Sequence, residues 1–117
     1  MSEELKKRSR DFAIRVIRLS SSLPKTVEAQ VVGKQIVRSG TSVGAHYREA
    51  QYAKSDADFI SKIQGALQEL EETIYWLEII DEMEFFPAHQ FAPLNAEANE
   101  LRAIFITIAK KVRTRSA

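Results

Sequence analysis

The stretch from Ile60 to Leu77 constrains this chain more than any other. Ile60, Ile63, Leu67, Leu70, Ile74 and Leu77 recur at steps of three and four, flanked by Phe59, Ala66, Thr73 and Ile80. That spacing sets one side of a 3.6-residue helix, whereas a strand would scatter the same residues over both faces. A stripe this long must be covered, and the rest of the chain offers only helices to cover it. Leu5, Phe12, Val16, Leu19 and Leu23 fall at helical spacing before Pro24, which pushes its predecessor out of the α region and ends the first helix. A second helix runs from Thr26 to Ala53, with Val32, Ile36, Ser39, Val43 and Ala50 marking one face. Ser55 caps the third, and Asp56 and Asp58 in its first turn suit the helix dipole. After the loop EFFPAHQFAP, residues 84–93, the fourth helix starts near Pro93 or Asn95 and carries Leu94, Ala98, Leu101, Phe105, Ile108 and Val112. Short connections favour neighbours that run in opposite directions. The expectation is a single all-α domain over residues 1–117, an antiparallel up-down-up-down four-helix bundle.

The second helix breaks its own rules in RSGTSVGAHYREA, residues 38–50. Gly33, Gly40 and Gly44 each cost about 1 kcal/mol relative to alanine inside a helix, so something must offset them. Gly40 and Gly44 lie one turn apart, and Gly33 lies two turns before Gly40. They form a groove of small residues that another helix backbone can approach closely. Between Ile36 and Tyr47 only Arg38 carries a fixed charge, and a helix so evenly apolar is buried on most sides. This predicts the bundle on one side and a second subunit on the other, with Tyr47 and Trp76 in core or interface. The competing reading, in which the glycines tighten contacts within one monomer, stays open. A phosphate-binding loop is excluded, because the GxxxxGK[ST] spacing is absent and no strand precedes the segment.

RSGTSVGAHYREA, then Ser55, then DFISKIQGALQELEETIYWLE at residues 58–78, closely resembles the bacterial four-helix-bundle family encoded within intervening sequences of 23S ribosomal RNA genes. The resemblance covers residues 36 to 80. It joins Arg38-Ser39, Ser42, Gly44, Arg48-Glu49-Ala50, Ser55, Asp58-Phe59-Ile60, Lys62, Ala66-Leu67, Glu69, Glu72-Thr73 and Tyr75-Trp76-Leu77 in one order. His46 departs from the family's usual asparagine, and Leu70 replaces a usual small residue. The resemblance implies a homopentamer of antiparallel bundles. It also implies kinship with the accessory variability protein of diversity-generating retroelements, a pentamer that binds nucleic acid and a reverse transcriptase. It implies no enzymatic activity and no cofactor.

Charge is segregated along the chain. Residues 1–25 carry +4, residues 26–100 carry −8 and residues 101–117 carry +5, for a net +1. In an up-and-down bundle the start of helix 1, the helix 2–3 turn and the end of helix 4 share one end. That end would hold Lys6, Lys7, Arg8, Arg10, Arg48, Lys54, Lys110, Lys111, Arg113 and Arg115, and the opposite end Glu78, Asp81, Glu82 and Glu84. The cations of helix 1 and the anions of helix 3 oppose their local dipoles, so helix stability does not explain the layout. A phosphate backbone would, and RNA or DNA is the expected partner of the basic end. A protein–protein interaction module without nucleic-acid binding, including one that serves a nucleic-acid-processing protein, is the competing expectation. Arg38 with Glu69 and Glu49 with Lys62 are expected as polar pairs between helices 2 and 3.

Catalysis finds little support. A di-iron bundle needs two Glu-x-x-His motifs, and the chain has only the reversed His46-x-x-Glu49, with His89 in a loop. Glu69-x-x-Glu72 and Glu78-x-x-Asp81 lie on one helix, with no facing carboxylate pair to complete a magnesium site. Ser42 and His46 share a face without an oxyanion hole. The chain has no cysteine for a disulfide or a thiolate metal site. Its N-terminal MSEELKKRSRDF lacks a signal-peptide apolar run, and no stretch reaches the ~20 apolar residues of a membrane span. The expectation is a cytoplasmic protein, neither enzyme nor membrane protein.

Overall fold

The computed structural model describes residues 2–116, apart from the side chains of residues 88–90. Four helices account for nearly all of it: α1 (Glu3–Ser21), α2 (Val27–Ala50), α3 (Asp56–Glu82) and α4 (Ala88–Ser116). Among the described residues there is no strand. Local chemistry sets most helix ends. Ser2 caps α1 by accepting from the Leu5 N–H at 3.1 Å, and the Thr26 hydroxyl caps α2 by accepting from Ala29 at 3.3 Å. At α3 the Ser55 hydroxyl accepts from the Asp58 N–H at 3.0 Å, while the Asp58 carboxylate accepts from the Lys54 N–H at 3.1 Å. Two otherwise orphaned donors are thereby satisfied reciprocally.

Two helix ends differ from the sequence expectation: α2 stops at Ala50 and not Ala53, and α4 starts before Pro93. Helix α4 begins at Ala88, so Pro93 lies inside it and not at its start. A proline in the second turn forfeits one backbone hydrogen bond. Phe91 and Leu94, 7% and 4% exposed, draw this turn into the core, and their burial outweighs that loss. Helix α3 ends without glycine. Glu84 takes φ of 56°, its N–H donates to the Asp81 carbonyl at 3.0 Å, and the Phe85 N–H donates to the Ile80 carbonyl at 3.3 Å. This is a Schellman closure with glutamate in the left-handed position, sealed by Phe85 against the core.

Helix α1 packs on α2 and α4, and α3 packs on α2 and α4. The diagonal pairs α1/α3 and α2/α4 make no close backbone approach. The result is a rod of 49 × 21 × 21 Å. Its centre holds Phe12, Val16, Ile36, Val43, Ile63, Leu70, Leu77, Leu101 and Phe105, all fully buried. Tyr47 and Phe105 meet across it, ring centroids 5.7 Å apart.

The glycines resolve as contacts within the monomer. A Cβ on Gly40 would stand 2.8 and 2.9 Å from the Val16 methyls, one on Gly44 3.2 Å from the Ser9 hydroxyl, and one on Gly33 2.8 Å from the Ser20 hydroxyl. The helix that approaches the small-residue groove is α1, whose Ser9, Val16 and Ser20 seat against it. On the α3 side a buried hydroxyl pair, Ser39 and Thr73, lies at 2.8 Å. The His46 ring there covers Gly65.

Candidate nucleic-acid interface

The α2–α3 turn and the end of α4 meet in space. Arg115 lies 3.0 Å from Asp56, and the Ser116 hydroxyl donates to the same carboxylate. Both contacts hold the Asp56 carboxyl below its usual pKa, the Ser116 hydrogen bond most. Ala50, Lys54, Phe59, Val112 and Arg115 wall an open concavity of about 440 Å³. The start of α1 joins this end through Ser2, whose N–H donates to the Tyr47 hydroxyl at 3.3 Å.

The ten cations expected here divide into three groups. Arg48, Lys54, Lys110, Lys111 and Arg113 are exposed, and among the described residues no carboxylate approaches them within ion-pair distance. Lys6, Lys7, Arg10 and Arg115 each have a neighbouring acid, at 3.9 Å (Glu3), 2.9 Å (Asp11), 3.7 Å (Asp11) and 3.0 Å (Asp56) respectively. Surface pairs of this kind are worth at most about 1 kcal/mol and open readily to a stronger anion. Arg8 differs from both. Its guanidinium binds Glu97 through two nitrogens, at 2.7 and 3.1 Å, and Glu100 at 3.0 Å. The hydrogen bond to Glu97 is the largest cause raising the Arg8 pKa. Arg8 therefore ties α1 to α4 and does not belong with the free cations. Nothing in its local sequence reveals this, because both acceptors lie on another helix.

The far end is not uniformly acidic. Asp81, Glu82 and Glu84 are exposed beside Phe85 and Phe86, but Arg15 and Arg18 line a concavity with Phe86 and Leu94. Acidic groups thus occupy the α3 side of that end and basic groups the α1 side.

The polar pairs between α2 and α3 form with an added partner. Arg38 reaches Glu69 at 3.2 Å and also contacts Glu72, which accepts from the Trp76 indole N–H at 3.1 Å. That indole bond, followed by Arg38, depresses the Glu72 pKa. Lys62 stands 3.8 Å and His46 Nδ1 3.6 Å from Glu49. Trp76 is half-buried against the core, and its ring meets Tyr75 edge-on at 5.1 Å. Tyr47 is 1% exposed and belongs to the core. Among the described residues no group of three His, Asp or Glu side chains could hold a metal ion. The side chain of His89 lies outside the described residues, and its backbone is the second position of α4 and not a loop. No helix is long and apolar enough to cross a membrane. The sequence reading also missed Tyr52, which is 83% exposed in the α2–α3 turn. Its signal was a large aromatic between Arg48 and Lys54 outside any apolar stripe.

No curated protein matches the chain. Among solved structures it is similar to a protein of unknown function of the S23 ribosomal protein family from Bacteroides thetaiotaomicron. The two are 42% identical, with 91% of this chain and 98% of that one covered and a TM-score of 0.85. The family model of the 23S rRNA-intervening sequence protein matches residues 2–107. Fold, motif order and this match agree, and the chain belongs to the 23S rRNA-intervening sequence protein family.

Proposed function

We propose that the protein is a non-enzymatic oligomeric scaffold that binds RNA through the end built by the α2–α3 turn and the α4 terminus. One observation carries this reading: Arg48, Lys54, Lys110, Lys111 and Arg113 are exposed at that end, and among the described residues no carboxylate lies within ion-pair distance of them. Cations left unpaired by the fold cost it repulsion, and a polyanion relieves that repulsion. Neighbouring helices run antiparallel in this reading. Contacts Ser20–Gly33, Val16–Gly40 and Ser9–Gly44 support that, since the numbers fall on one helix as they rise on the other. A pentamer is proposed from the family resemblance. Exposed Ile17, Val27, Val31 and Ile106 supply apolar surface for it. A cytoplasmic site of action and a nucleic-acid-processing partner belong to the same proposal.

The test is binding of the purified protein to a structured fragment of ribosomal RNA across a salt series, with light scattering on the same sample. Affinity is expected to fall steeply with salt, by about 0.7–0.9 logarithmic units per phosphate neutralised and per tenfold salt. Reversing Lys110, Lys111 and Arg113 to glutamate should abolish binding at an unchanged assembly mass. A clean oligomer that binds no RNA at low salt would remove the proposal in favour of a protein-only interaction module.

A further inference from the structure

We infer that the basic end takes unpaired RNA, with Tyr52 as the platform on which a base stacks. This rests on the RNA reading above and adds a substrate class to it. Tyr52 follows the α2 cap residue Gln51, and its N–H donates to the Glu49 carbonyl at 3.0 Å, which fixes the backbone of the turn. The side chain is nevertheless 83% exposed, more than any other large apolar side chain among the described residues. An aromatic ring left in water at a hydrogen-bonded turn contributes nothing to the core. Of the exposed large apolar side chains, only Tyr52 occupies the turn that closes the basic end.

Its surroundings suit a nucleotide. Arg48 lies four residues before it in the last turn of α2, Lys54 lies two residues after it, and both are exposed. The concavity walled by Lys54, Phe59, Val112 and Arg115 opens beside the same turn. It offers the free cation of Lys54, beside Arg115 paired with Asp56, and the apolar side chains of Phe59 and Val112. Cationic grooves with aromatic platforms bind single strands, because every base has a π-face and an unpaired base leaves it free. A duplex hides those faces and would engage only the cations.

The experiment compares labelled single-stranded RNA with a blunt two-strand RNA duplex of equal phosphate number at low salt, using wild type, Tyr52→Ala and Tyr52→Phe, with light scattering on each protein. Tyr52→Ala should weaken single-strand binding roughly 5- to 150-fold, the range for loss of one stacked base. Duplex binding should stay within about twofold and Tyr52→Phe close to wild type, since the ring and not the hydroxyl stacks. Unchanged single-strand affinity in Tyr52→Ala overturns the inference. So does an equal loss for both RNAs, or a changed assembly mass, either of which makes Tyr52 a structural or subunit contact. If wild type binds neither RNA, the RNA reading itself fails, and the Tyr52 inference goes with it.

Discussion

Gly40 is where the fold leaves least room, and Gly40→Ala tests why. Alanine improves helix propensity by about 1 kcal/mol at an interior position. Against this, the new methyl would lie 2.8 and 2.9 Å from the two Val16 methyls and 3.1 Å from its Cβ. Val16 is fully buried and stiff at χ1, so it cannot swing aside, and α1 must back away from α2. Overpacking by one methyl costs about 1–3 kcal/mol, and three close contacts to a rigid side chain place this site high in that range. The net expectation is a loss of roughly 1–2 kcal/mol. Denaturant unfolding followed by circular dichroism reads it, at one fixed protomer concentration because assembly shifts apparent stability. Val16→Ala alone should cost about 2–3 kcal/mol through lost burial and a cavity. The double variant should cost at least about 1 kcal/mol less than the two singles together, since the new methyl fills the vacated space. Gly44→Ala is the internal control. Its Cβ would stand 3.2 Å from a serine hydroxyl, so propensity and crowding nearly cancel. A Gly40→Ala protein as stable as wild type, or additive behaviour in the double variant, would refute the close approach of α1.

Two ion-pair predictions follow from partly buried groups. Glu97→Gln should destabilise the protein by about 1–2 kcal/mol, because it leaves the half-buried Arg8 with only Glu100; thermal unfolding measures it, and no change would show that Arg8 is free to bind phosphate. Glu72 has a folded pKa below its ordinary value, so its contribution is present above the unfolded carboxylate pKa of about 4.3 and is lost as pH falls through the lower folded value. Glu72→Gln should therefore flatten the loss of stability below about pH 4.5, and the fluorescence of Trp76, the one tryptophan, should lose its acid-side titration.

The four helices were legible because a 3.6-residue stripe of large aliphatics has no other way to be buried. Ser55 was legible as a cap for a similarly local reason, as was the Arg38–Glu69 pair, which spans one short turn. What the sequence concealed was non-local. A stripe of glycines says that something approaches, not which helix. Only the fold shows that the approaching helix is α1, with Val16 and Ser9 at the contact. The start of α4 was misread because proline signals a helix end locally, while the burial of Phe91 and Leu94 is decided by the other three helices. Glu84 escaped notice because a left-handed closure normally advertises itself with glycine.

The same distinction relocates the candidate binding surface. Counted from sequence, the start of α1 and the end of α4 bring four cations each to the basic end and the α2–α3 turn brings two. In the fold, α1 and α4 touch least among neighbouring helices, and Arg8 spends its charge holding that seam to Glu97 and Glu100. Lys7 and Arg10 both face Asp11, whose pKa is lowered chiefly by the Lys7 hydrogen bond. The α1 segment is thus largely neutralised by its own neighbours. The α4 terminus has no acid of its own, and Asp56, the acid it meets, already holds Arg115. That leaves Lys110, Lys111 and Arg113 beside Arg48, Lys54 and the exposed ring of Tyr52. An anion approaching this end finds its free charge on the α2–α3 turn and α4, and the exposed ring of Tyr52 stands on that same turn.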